Sequence, residues 1–139
     1  MIVYCAGPIR GDQTYLKSYL EIIQYVENLG ITALSEMNSK FTSSIPLTDR
    51  QIYTRDVKWI DGSDAMVAEV SGASLGVGFE IAYALFVRKI PVLAVYNESA
   101  QKISSMISGC SNPNLSVKSY KDDESLRKEV KAFLLKHKK

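Results

Sequence analysis

A chain of 139 residues, 46% hydrophobic and 23% charged, is long enough for one domain with a sizeable core and has an ordinary globular composition. Its net charge of +2 gives no general case for a nucleic-acid binder, and no apolar run approaches the ~18 residues of a membrane span. Cys5 and Cys110 stand far apart and the one histidine, His137, lies in a basic tail, so no metal site and no cofactor are expected. The first residues read directly as a strand rather than a leader, and two lone cysteines suit a reducing compartment; a cytoplasmic protein is the expectation.

Strand signals fall at residues 2–5, 31–34, 65–70, 91–96 and 115–119, with helical stretches between them. Leu16, Tyr19, Leu20, Ile23 and Val26 follow the 3.6 period, and Gly30 ends that helix. Thr48 reads as the N-cap of a second helix running to about residue 61. A third helix is expected over 78–88 and a short fourth over 100–107, and Leu126, Val130, Phe133 and Leu134 stripe the last. Alternating units with near-continuous apolar strands imply a parallel sheet covered on both faces. Five strands point to a single α/β domain, a flavodoxin-like, doubly wound, five-stranded parallel sheet. Ligands in such sheets bind beyond the carboxyl ends of the strands, which groups residues 6–11, 38–47, 71–78 and 97–101 around one crevice. The polar loop 38–47 reads either as a mobile lid or as plain surface.

The richest stretch is 71–80. Gly76 and Gly78 invite a dinucleotide fingerprint, but Ile81 occupies the third glycine position, and no GxxxxGK sequence exists. What remains is a turn with Ser71, Ser74 and amides at a helix start, chemistry that suits a single phosphate. In the first turn, Gly7 allows close approach to the backbone, and Arg10 can fork onto a phosphate or carboxylate. Asp56 shares a helix face with the apolar Ile52, Trp59 and Ile60, with Arg55 expected to point elsewhere. A carboxylate on that stripe is either salt-bridged or working. Glu80 is the one charge among the apolar residues that follow the turn, and Val77 three residues earlier rules out a capping box. Two carboxylates drawn to one crevice fit the nucleophile and acid of a retaining glycosidase, and a place near a helix N-terminus would keep Glu80 ionised. Asp64 reads as a cap on the turn before the third strand; Glu69 receives no assignment.

Residues 6–11, the Asp56–Trp59 segment and Ser74 through Glu80 together resemble the nucleoside 2′-deoxyribosyltransferase superfamily, over nearly the whole chain, 1–139, and most of all its 2′-deoxynucleoside 5′-phosphate N-hydrolase branch. The resemblance implies Glu80 as nucleophile, Asp56 as the acid that protonates the leaving base and Tyr4 as the residue that orients Glu80. It implies Gly7, Ile9, Arg10 and Gly11 as the ligand-facing first loop, with Ser74, Gly76 and Gly78 on the phosphate side. Ser104 matches a serine that reaches the phosphate in a neighbouring subunit's site, which implies a homodimer.

The transferases carry an acid six residues before the nucleophile; the neutral Ser74 stands there in this chain and can donate to a phosphate oxygen. That favours the hydrolase branch. Pro8 departs from the serine expected of hydrolases and matches the transferases, so a deoxyribosyltransferase is the alternative. A non-catalytic nucleotide-binding module is a third reading. The expected substrate is a small deoxynucleotide, with no nucleic acid, membrane or metal involved.

Overall fold

The central apolar strands settle into one sheet because a helix layer on either side receives their side chains. The computed structural model describes residues 1–138. Strands β1 (Ile2–Ala6), β2 (Thr32–Leu34), β3 (Ala65–Glu69), β4 (Val92–Asn97) and β5 (Leu115–Tyr120) pair in the order β2-β1-β3-β4-β5, all parallel. The chain winds one way from β1 to β2 and the other from β3 onward. The crevice of this doubly wound sheet therefore opens between the carboxyl ends of β1 and β3. The expected fold class is the one found.

Period-2 alternation on β1 divides the core. Val3 and Cys5 join Tyr19, Ile22 and Val26 of α1 (Leu16–Asn28) and Leu126, Val130 and Phe133 of α5 (Asp123–His137). Tyr4 and Ala6 face the other way, toward Ile60 of α2 (Asp49–Asp61) and Val77 and Ile81 of α3 (Leu75–Ala82). Every residue of β3 is buried, as expected of a central parallel strand. Gly30, with φ 77°, carries the chain out of α1. Thr48 caps α2 with a full capping box: its Oγ1 accepts from the Gln51 N–H at 3.2 Å, and Gln51 Oε1 accepts from the Thr48 N–H at 2.9 Å.

Two helices differ from expectation. The third starts at Leu75 rather than 78, because Ser74 Oγ accepts from the Val77 N–H and caps the helix three residues early. It then widens into a π-helical turn, Tyr83–Arg88, and stops at Lys89 in the left-handed region, φ 56°. The fourth, α4, covers only Ser105–Ser108. Asn97 Oδ1 takes the Ser99 N–H in a side-chain turn, and Ser104 caps the helix through the Met106 N–H.

Two loops meet at the switch point with their backbones in contact. The Asp12 N–H donates to Ala73 O at 3.2 Å, and a Cβ at Gly11 would overlap Ala73 O while one at Gly72 would overlap Asp12 O. A Cβ at Gly7 would strike the ring of Tyr19, itself fixed by hydrogen bonds to Cys5 O at 2.9 Å and Ser35 Oγ at 2.5 Å. Gly7→Ala should therefore destabilise the protein by about 1–3 kcal/mol, read as a lower thermal midpoint. Gly76→Ala, on a helical site with nothing nearer than 4.0 Å, should be neutral or stabilising by about 0.5–1 kcal/mol in the same assay.

Candidate active site

Over the carboxyl ends of β1 and β3 lies a cleft of about 810 Å³, within the range of small-molecule sites. One wall is the first loop, contributing Gly7, Ile9, Arg10 and Gly11. The opposite wall is α2, which presents Asp49, Ile52, Tyr53 and Asp56 at helical spacing. Ser74 and Gly76 of the third turn, Glu80 of α3 and Ser104 complete it. The cleft thus brings together nine residues singled out in the sequence: Gly7, Ile9, Arg10, Gly11, Asp56, Ser74, Gly76, Glu80 and Ser104.

Tyr4 and Gly78 lie elsewhere. Tyr4 is buried on β1 beneath the cleft, and its hydroxyl donates to Glu80 Oε2. Gly78 lies beside a second, apolar groove, and its N–H is already bonded to Ser74 O at 3.2 Å, so it offers no amide to a phosphate. The N–H groups without a partner inside the helix belong to Leu75 and Gly76, at its first two positions. Ser74 accepts from the helix with its oxygen, which leaves the hydroxyl proton free to donate outward. Arg10 is exposed and has no ion-pair partner among the described residues. Pro8 is buried and is not part of the lining.

The expected reason for an ionised Glu80 does not hold. It sits in the second turn of α3, not at the helix start, and burial dominates: its carboxyl is pushed up to about 7. The Tyr4 hydrogen bond pulls it down, the charges of Asp56 and Glu36 push it up, and Arg55 pulls it down. Burial and the neighbouring carboxylates hold the Tyr4 phenol well above its ordinary range. Asp56 is also raised, by burial first, with Arg55 opposing.

Arg55 does not point away from Asp56. Its Nε donates to Asp56 Oδ1 at 2.9 Å, its Nη2 meets Glu36 Oε2 at 2.5 Å, and its guanidinium lies 4.7 Å over the Trp59 ring. The long side chain folds back along α2 because stacking and two carboxylates hold it there. Glu36 was not singled out in the sequence. Its one legible signal was position, two residues past the end of β2.

Other expectations need correction. The cleft lining comes from residue 7 and residues 9–11, from Glu36, α2, residues 73–77, Phe79, Glu80 and Ser104, not from the loops 38–47 and 97–101. The first of these is pinned rather than lid-like at its start: Asn38 Nδ2 donates to Glu27 Oε1 and to Ala33 O, both at 2.8 Å, and Phe41 packs edge-on against Trp59. Asp64 accepts from the Ile2 N–H at 2.8 Å, fixing the start of β1 rather than capping a turn. Glu69 is wholly buried and accepts from the Ser71 N–H at 2.6 Å, the Ser71 hydroxyl at 3.0 Å and the Tyr120 hydroxyl at 2.5 Å. It ties the turn after β3 to β5, and Ser71 is spent on that tie. Among the described residues no group of three or more His, Cys, Asp or Glu could hold a metal, and no helix is long and apolar enough to cross a membrane.

Fold and cleft together define a doubly wound α/β protein with carboxylates gathered at the switch point of its sheet. The chain belongs to the nucleoside 2-deoxyribosyltransferase family, whose model matches residues 3–129. A relative from Thermofilum pendens, provisionally named 2′-deoxynucleoside 5′-phosphate N-hydrolase 1, is 35% identical over 92% of both chains. A relative from Esox lucius named 5-hydroxymethyl-dUMP N-hydrolase is 31% identical over 89% of this chain and 90% of its own. Among solved structures, the CMP N-glycosidase of Clostridium botulinum superposes with a TM-score of 0.70 at 15% identity, covering 96% of this chain and all 100% of that one, a likeness of fold.

Glu80 binds its proton more tightly folded than unfolded, so its contribution to stability is full below the usual carboxylate range and is lost as pH rises toward 7. Glu80→Gln should accordingly raise the thermal midpoint above pH 7, and the gain should vanish near pH 4.5. Melting curves of both proteins across that range check it.

Proposed function

We propose that the protein hydrolyses the N-glycosidic bond of 2′-deoxynucleoside 5′-monophosphates, releasing free base and 2-deoxyribose 5-phosphate. The observation that carries this reading is the meeting of Glu80, held by Tyr4, with Asp56 in a cleft whose other parts are Arg10, Ser74 and the free amides of α3. Phosphate suits that far end: a guanidinium, a hydroxyl donor and a helix start all favour a dianion. The named N-hydrolase relatives support the same substrate class.

In this mechanism the ionised Glu80 attacks C1′ and the C1′–N bond breaks as Asp56 gives its proton to the departing base. The deoxyribosyl group is then an ester of Glu80. Water adds at C1′, loses its proton to a carboxylate of the pair, and free Glu80 returns. Protein carboxylates supply the nucleophile and the acid.

A deoxyribosyltransferase would use the same first step and pass the sugar to a second base. Ser74, a neutral donor where an acid would repel a phosphate, favours the nucleotide hydrolase. Pro8 weighs less against it than its sequence position implied, since the buried ring takes no part in the cleft wall. A binding module without turnover needs no paired carboxylates.

The protein is further read as a cytoplasmic homodimer. Leu75, Phe86 and Met106 are 97%, 62% and 83% exposed beside a second groove of about 720 Å³. Exposed apolar surface of this kind supports an interface there. The groove shares Ser74, Leu75, Phe79 and Ser104 with the cleft, so a second copy seated there would close the cleft at its phosphate end.

A panel of deoxynucleotides, deoxynucleosides and ribonucleotides, with released base measured by chromatography, tests the function. Glu80→Ala should abolish release, and mass spectrometry of denatured wild-type enzyme should show a deoxyribosyl phosphate adduct. Retained activity in Glu80→Ala would overturn the covalent route, and a new nucleoside formed on adding a second base would establish the transferase. The acid limb of kcat/KM should lie near pH 7, where Glu80 ionises, and Tyr4→Phe should move it to higher pH by removing the bond that favours the carboxylate. Gly76→Ala, though stable, should raise KM. Light scattering should give a dimer for the wild type and a monomer for Leu75→Asp.

A further inference from the structure

Four carboxylates, Glu36, Asp49, Asp56 and Glu80, line one cleft, and a single half-buried guanidinium touches two of them, Glu36 and Asp56. The Arg55 side chain is only 18% exposed although it begins on the helix face beside the cleft. It is fixed from three directions: Glu36 from beyond β2, Asp56 from its own helix, and the Trp59 ring one turn onward. Trp59 is in turn packed by Phe41. An arginine that only balanced charge would not need such a cage. Its Nε bonds Asp56 Oδ1 alone, so the guanidinium fixes one oxygen and leaves Oδ2 as the oxygen available to the cleft.

Resting on the N-hydrolase reading, we propose that Arg55, clamped by Glu36 and Trp59, is a positioning residue that fixes the rotamer of Asp56 so that its unbonded oxygen meets the leaving base. The charged groups around Asp56 are Arg55 and Asp49 on its own helix, Glu36, Arg10 of the first loop and Glu80 of α3. Of these, Arg55 alone is hydrogen-bonded to it among the described residues. Lysine cannot replace it, because one ammonium cannot span Glu36 and Asp56 and lie flat on Trp59 together.

The experiment is a double-mutant cycle between Arg55→Gln and Asp56→Asn, using the deoxynucleoside monophosphate that the wild type cleaves fastest. Arg55→Gln should lower kcat by about 10²-fold, the cost of displacing a reacting group by about an ångström, with KM changed less than about 3-fold. In the Asp56→Asn background the same change should cost less than about 3-fold, because a residue acting through Asp56 has nothing left to position. Arg55→Lys keeps the charge and most of the packing, so it separates folding from function: it should melt within a few degrees of the wild type yet recover only part of the lost kcat. Glu36→Gln, which loosens the clamp, should fall between. An equal loss from Arg55→Gln in both backgrounds, or full kcat in Arg55→Lys, would overturn the proposal. If no deoxynucleotide is cleaved, or Asp56→Asn is fully active, the failure belongs to the functional reading instead.

Discussion

The hydrogen bond from the Tyr4 hydroxyl to Glu80 joins the two halves of the sheet's winding. Tyr4 comes from the first strand and faces the α2–α3 side because alternation on β1 turns Val3 and Cys5 toward the opposite core. Glu80 comes from the helix that follows β3, on the other side of the point where the strand order reverses. Each group lowers the cost of placing the other: the partly buried carboxylate gains a donor, and the buried phenol gains an acceptor. The bond therefore makes correct pairing of β1 with β3, and docking of α3 on both, a condition for satisfying two polar groups at once.

Around that bond the cleft is overfilled with negative charge. Burial raises Glu80 and Asp56; the charges of Asp56 and Glu36 raise Glu80 further, and that of Glu36 raises Asp56. Arg55 from the α2 side and the Tyr4 hydroxyl from below oppose this, while Arg10 stands exposed at the rim, with no ion-pair partner among the described residues. The acids of the cleft come from α2, α3 and the loop after β2, while Arg10 and Ser74 come from the two turns.

The sheet was legible because its strands are apolar runs of the right length and its helices alternate with them. Thr48 was legible as a cap because its box with Gln51 is entirely local. The helix starting at Leu75 was misplaced by three residues: glycines at 76 and 78 read as loop, while the cap that decides the boundary is one serine hydroxyl. The pairing of Tyr4 with Glu80 spans 76 residues, and no periodicity reports it; only the family resemblance pointed there. Glu36 and the fold-back of Arg55 were hidden for the same reason, since their partner lies 19 residues away. Helical geometry placed Arg55 and Asp56 on different faces and took no account of how far a guanidinium reaches. Glu69 looked unplaceable because its three donors come from Ser71, two residues on, and from Tyr120, at the end of the last strand.

The glycines at 11 and 72 let the first loop and the loop after β3 lie against each other with a backbone hydrogen bond between Asp12 and Ala73. The two loops consequently form one continuous jaw. An insertion in either would have to be matched in the other, so relatives that keep this contact can vary the jaw by exchanging side chains but not by changing its length. The α2 wall is joined to its neighbours through side chains instead, Arg55 to Glu36 and Asp61 to Tyr83, so among the described residues its backbone is not tied to another loop in this way.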